Sequence, residues 1–116
     1  AVDSAKWVPG PQAHEAVGAF MTAESYLDMV RVKIESRKRY PQTARVRRIE
    51  GRVKIRFILE TDGSVRDVAV SGGTRHRELN RAALEAVRAA APFPRPPSSL
   101  FEGDLSLELV IVFELT

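Results

Sequence analysis

Hydrophobic positions recur at every second residue along two stretches of this chain and at every third or fourth along two others. Between residues 52 and 60, Val53, Ile55, Phe57 and Leu59 share one side, with Arg52, Lys54, Arg56, Ile58 and Glu60 on the other. This alternation predicts a half-buried strand. The same period returns between residues 104 and 116, where Leu105, Leu107, Leu109, Ile111, Phe113 and Leu115 fill one face. The opposite face reads Asp104, Ser106, Glu108, Val110, Val112 and Glu114. Between these two strands, Asp62-Gly63 is a strong hairpin signal, because a type I′ turn takes positive φ at both central residues. A two-residue loop would set Phe57 opposite Val68 and Ile55 opposite Val70, so that apolar meets apolar.

The helical stretches differ in character. Over residues 23–38, Leu27, Val30 and Ile34 recur at spacings of three and four, flanked by Tyr26 and Met29. Glu24 and Asp28 come early and Arg37, Lys38 and Arg39 late, in accord with the helix dipole, and Pro41 forces Tyr40 out of the α region. Over residues 75–90 the stripe is Leu79, Ala82, Ala83, Ala86, Val87 and Ala90, small enough for close packing on a sheet. Ser71-Gly72-Gly73 separates this helix from the strand before it, and the run from Pro92 to Pro97 predicts a stiff, extended connection pinned by Phe93. Residues 1–22, with Pro9, Gly10, Pro11 and Gly18, show no steady period and read as a linker remnant from which Trp7 and Phe20 are placed to dock on the domain.

The elements predict an α+β fold: an N-terminal helix, then β-β-α-β, with a three-stranded antiparallel or mixed sheet packed against the helices. The order second, first, third is expected. Arg52, Lys54 and Arg56 on the first strand would face Asp104, Glu108 and Glu114 on the third, and opposite charges across a pair each contribute roughly 0.2–1 kcal/mol. That order leaves the third strand as an edge, with unpaired N–H and C=O groups open to an extended partner.

Composition narrows the function. A chain of 116 residues accommodates one modest core, here residues 23–116, and its 44% hydrophobic and 28% charged content is that of an ordinary globular domain. No apolar run approaches the roughly 18 residues of a membrane span. No signal peptide is recognisable, and the start at Ala1 without Met leads to the expectation of an upstream anchor or signal. With no Cys, disulfides, thiolate metal sites and a Cys nucleophile are excluded. His14 and His76 each stand alone, Asp62 and Asp67 are explained by a turn and an exposed strand position, and no Ser sits in a nucleophile elbow. No catalytic residue, cofactor or metal is therefore expected, and the chain reads as non-enzymatic. Ser71-Gly72-Gly73-Thr74 lacks the spacing of a phosphate loop and reads as strand-end punctuation. The net charge of +3 is uneven, with Arg31 to Arg56 strongly basic against only Glu35 and Glu50. A nucleic-acid-binding module is thus an alternative, disfavoured because the outward strand positions carry Arg, Lys, Ile and Val rather than aromatics for base stacking.

A family resemblance adds to this. Tyr40-Pro41, Glu50-Gly51-Arg52-Val53-Lys54-Ile55-Arg56-Phe57, Asp62-Gly63-Ser64-Val65, Val68-Ala69-Val70-Ser71, Leu79 with Ala82-Ala83-Leu84, and Pro92-Phe93-Pro94 together resemble the C-terminal domain of the TonB energy-transducer family. The likeness runs from about Tyr26 to Thr116. It implies a periplasmic domain tied by a Pro-rich linker to an inner-membrane helix. Such a domain takes energy from a proton-driven motor complex and binds the TonB box of outer-membrane transporters for siderophore or nutrient uptake. The box joins the sheet as an added strand beside the last one. Carried onto this sequence, the implied partner-binding residues are Arg37, Lys38, Arg39, Tyr40, Pro41, Glu108, Leu109, Val110, Ile111, Val112 and Phe113. Where enteric relatives have polar, Gln-containing residues before the Tyr-Pro pair, this chain has Arg37, Lys38 and Arg39, which points to an acidic transporter box. A TolA-like envelope-bridging role and a homodimer formed by strand exchange are the alternatives within the same architecture.

Overall fold

A computed structural model describes residues 5–8 and 22–116, and the elements run β1 (Ala5–Trp7), α1 (Ala23–Arg37), α2 (Gln42–Val46), β2 (Gly51–Leu59), β3 (Val65–Gly72), α3 (Arg77–Ala90) and β4 (Leu105–Phe113). Thr22 starts α1 with a reciprocal cap. Its Oγ1 accepts from the Ser25 N–H at 3.0 Å, and Ser25 Oγ accepts from the Thr22 N–H at 2.8 Å. The buried stripe is Ala23, Tyr26, Val30 and Ile34, so Tyr26 lies in the core, while Leu27 and Met29 are only partly covered. Tyr26 is tolerated there because its hydroxyl donates to the Pro94 carbonyl at 2.5 Å and its ring leans on Phe101, with centroids 5.5 Å apart.

The short helix α2 was not expected. Five residues with only Ala44 buried carry no readable period. It ends in a Schellman motif, with Ile49 N–H on the Ala44 carbonyl at 2.8 Å and Arg48 N–H on the Arg45 carbonyl at 3.1 Å. Arg48 takes the left-handed position there, at φ 55°.

The hairpin differs from the two-residue expectation. Glu60 N–H bonds the Ser64 carbonyl at 2.8 Å, which leaves a three-residue loop in which Gly63, at φ 95°, alone has positive φ. The longer loop offsets the register by one, so that Leu59 pairs with Val65 and Ile58 with Arg66. A bulge then absorbs the offset at Asp67, at φ 54°, and Ile55 meets Val70 as expected. Phe57 falls at the bulge instead of pairing with Val68. Without that bulge the apolar residues of β3 would turn to the solvent face.

The sheet is antiparallel throughout, in the order β1-β4-β2-β3. The three expected strands keep their relative positions, but among the described residues the sheet has four strands, not three. The fourth, β1, comes from the stretch read as linker and covers part of the edge expected to be open. Trp7 does dock, whereas Phe20 lies outside the described residues.

The charge argument for joining β4 to β2 is also corrected. Of the three expected contacts only Arg56 meets Glu108, while Arg52 lies opposite Val112 and Lys54 opposite Val110. Asp104 pairs instead with Arg66 of β3, at 3.2 Å. The stronger determinant is the buried face, where Val53 meets Ile111, Ile55 meets Leu109 and Phe57 meets Leu107. Helix α3 packs on β2 and β3 through Leu79, Ala82, Ala83, Ala86, Val87 and Ala90, and α1 packs on α3 and β1. The Pro-rich connection lies along α1: Lys33 Nζ donates to the Pro92 carbonyl at 2.8 Å, and Phe93 is buried as expected. No helix among the described residues is long and apolar enough to cross a membrane.

Two glycines give a paired test of the hairpin. A Cβ on Gly63 would lie 1.9 Å from the Phe93 carbonyl oxygen, whereas Gly103, also at positive φ, has nothing within 4 Å. Gly63→Ala is expected to lose more than about 3 kcal/mol in denaturant unfolding, because the clash adds to backbone strain, and Gly103→Ala only about 1 kcal/mol. Equal losses would contradict the close packing of the hairpin on the Pro-rich connection.

Burial also pushes the Tyr26 phenol up from 10.0 to about 12. The unfolded chain therefore releases this proton first as pH rises. The stabilisation is complete below pH 10 and is lost as pH climbs through about 12. Tyr26→Phe should flatten the alkaline limb of a stability-versus-pH curve; an unchanged limb would show that Tyr26 is not its source.

Candidate functional site

In an antiparallel strand the N–H and C=O of one residue point the same way, and successive residues alternate between neighbours. Two contacts establish which residues of β4 point away from β2. Val8 N–H donates to the Glu108 carbonyl at 2.9 Å, and Lys38 Nζ donates to the Val112 carbonyl at 2.8 Å. Glu108, Val110 and Val112 thus present their peptide groups to the outer edge, while those of Leu109, Ile111 and Phe113 bond to β2. The side chains divide the same way. Leu109, Ile111 and Phe113 are buried in the core, and Glu108, Val110 and Val112 lie half-buried on the open face.

The segment ahead of the Tyr-Pro pair lies against the far end of this edge. Lys38 also pairs with Glu35 at 3.0 Å, and its ammonium sits 5.4 Å from the centre of the Phe113 ring. Tyr40 stands edge-on to the same ring at 5.5 Å and donates from its hydroxyl to the Ile49 carbonyl. Arg45 lies over the outer face of Tyr40 at 5.6 Å. Burial raises the Tyr40 phenol above its ordinary pKa, helped by the Glu50 carboxylate and opposed by Arg45. Pro41 caps α2 and so turns the chain away from the edge. Arg37 and Arg39 are exposed, as are Arg45, Arg47 and Arg48 beyond them, and together they make a basic corner.

The structure therefore brings Lys38, Tyr40, Val112 and Phe113 into contact and leaves Arg37 and Arg39 exposed beside them in the chain. Leu109 and Ile111 contribute through the core rather than the edge. What the sequence reading missed is β1. Lys6 lies opposite Val110, Ala5 opposite Ile111 and Trp7 opposite Leu109. Trp7 Nε1 donates to the Leu27 carbonyl at 3.0 Å, and its ring lies 6.4 Å from that of Phe57. Its one sequence signal was Trp7 itself, since three residues are too few to show alternation. At the end of the Ser71–Thr74 segment, Thr74 N–H donates to Asn80 Oδ1 at 2.8 Å, and Asn80 Nδ2 donates to the Thr74 carbonyl at 2.9 Å.

Comparison with known proteins agrees with this architecture. Residues 36–115 match the family described as Gram-negative bacterial TonB protein C-terminal. A TonB protein of Helicobacter pylori is 37% identical over 94 residues, covering 80% of this chain and 31% of that protein. One from Pseudomonas putida is 35% identical over 105 residues, covering 90% of this chain and 42% of that protein. The chain thus spans less than half the length of these curated relatives. The solution structure of the Helicobacter pylori TonB C-terminal domain, residues 179–285, superposes with a TM-score of 0.70 at 34% identity, covering 87% of this chain and 98% of that one. On the match of motif, extent and fold, this chain belongs to the TonB C-terminal domain family.

Proposed function

We propose that this chain is the periplasmic, non-catalytic partner-binding domain of a TonB-like energy transducer, carried on an inner-membrane anchor that couples it to a proton-driven motor complex. It binds the TonB box of outer-membrane transporters by adding that segment as a strand along the outer edge of β4. The observation that supports this best is the outward ladder of Glu108, Val110 and Val112, beside which Lys38 and Tyr40 are held against Phe113. Main-chain bonds supply affinity with little demand on side-chain identity, which lets one domain serve several transporters.

The alternation along β4 provides the test. Proline at 112 removes an edge N–H and leaves the β2 ladder intact, whereas proline at 111 breaks that ladder. Val112→Pro should stay folded and lose at least tenfold in affinity for a transporter-box peptide in a calorimetric titration. Ile111→Pro should fail to fold stably. Undiminished peptide affinity in Val112→Pro would overturn the strand-addition reading.

The basic corner favours an acidic segment. Peptides with Asp or Glu flanking the box should bind more tightly than neutral ones and weaken as salt is raised from about 0.05 to 0.5 M, since these charges are exposed and screened. The double variant Arg37→Ala with Arg39→Ala should lose most of that preference. A preference insensitive to salt would exclude Arg37 and Arg39 from the contact.

A further inference from the structure

The edge of β4 that should receive a partner is partly occupied by the chain's own β1. We propose that β1 is a displaceable stand-in that competes with the partner for this edge; this rests on the strand-addition reading above. Lys6 lies opposite Val110, and Val8 N–H holds the Glu108 carbonyl, so β1 uses the same outward groups a transporter segment would need. Both strands cannot hold them at once.

The attachment is firm in placement but short. The ladder of described residues covers only Ala5 to Trp7, against the nine residues of β2 on the other side of β4. Ala5 is buried, and Trp7 is tied by one side-chain bond and one ring contact. Next along the edge, the Val112 carbonyl is held by the side chain of Lys38. A side-chain ammonium yields an acceptor without unfolding any strand, so position 112 is where an incoming segment gains its first bond. Pairing then advances towards Val110 and Glu108 as β1 leaves. A partner that pairs at Val112 as well as at Val110 and Glu108 makes more edge bonds than the described part of the β1 segment, which gives the exchange its direction.

The cost to the partner is set by how often β1 is docked, because apparent affinity scales with the fraction of the binding-competent form. With β1 docked nine-tenths of the time, affinity falls about tenfold, and the chain disfavours short or poorly matched segments.

A covalent lock tests this. The chain has no native Cys, and facing residues of a hydrogen-bonded antiparallel pair lie about 5.5 Å apart at Cα, within disulfide range. In the full chain, the double variant Lys6→Cys with Val110→Cys is titrated with a transporter-box peptide in oxidised and reduced form. The oxidised form should bind at least tenfold more weakly, with affinity restored by reductant. As a second arm, Lys6→Pro, which removes an N–H facing Val110, should bind several-fold more tightly than the unmodified chain. Equal affinity in the oxidised and reduced forms, with binding evident in both, overturns the competition and leaves strand addition standing. Absence of binding in the unmodified chain and in every variant overturns strand addition, and the competition with it.

Discussion

The structure depends on one constraint, that every second peptide unit of β4 points away from β2 and must find a partner or meet water. The buried pairs Val53 with Ile111 and Ile55 with Leu109 hold β4 against β2, and once that register is set the outward direction of Glu108, Val110 and Val112 follows. The remaining features of this side of the molecule answer those exposed groups. β1 takes two of the positions, and Lys38 takes the carbonyl of the third. Lys38 is available because α1 ends at Arg37, before Pro41, and the extended residues that follow bring Tyr40 and Lys38 onto Phe113.

Long periodic segments were legible in the sequence, and short or compensated ones were not. The alternation in β2 and β4 and the alanine stripe of α3 each extend over enough residues to leave one reading. The hairpin was recognised from Asp62-Gly63, but its loop length was not. A three-residue loop followed by a bulge at Asp67 leaves Ile55 opposite Val70, the same pairing as a two-residue loop with no bulge. Two local irregularities that cancel in register are invisible to a pattern of faces. α2 and β1 were missed for want of length. The placement of β4 beside β2 was foreseen for a reason only partly present, since one of three expected charge contacts exists and the apolar face carries the rest.

The candidate site was legible in position and less so in composition. Family motifs brought residues 37–41 and 108–113 together as a list, but only the fold divides them by task. Leu109, Ile111 and Phe113 build the floor, Glu108, Val110 and Val112 offer the ladder, and Lys38 and Tyr40 close its far end. Arg37 and Arg39 are exposed, Arg37 in the last turn of α1 and Arg39 just beyond it. Among the residues carried over from the family, they are the most exposed, which is why the proposed preference for an acidic segment is assigned to them.

An edge lined by a short strand of the same chain is less open to other strands. An open, apolar sheet edge invites pairing with any extended segment, including a second copy of itself. Covering it with β1 leaves Lys6 exposed, and among the described residues the covering strand is only three residues long, two common means of making an edge unattractive to strangers. Under the strand-addition proposal, a partner that engages position 112 bypasses this cover, whereas one that must begin at 110 meets an occupied ladder. On the strand-addition proposal, the strand that covers the edge also directs entry towards the end of β4 where Lys38, Tyr40 and the basic corner stand.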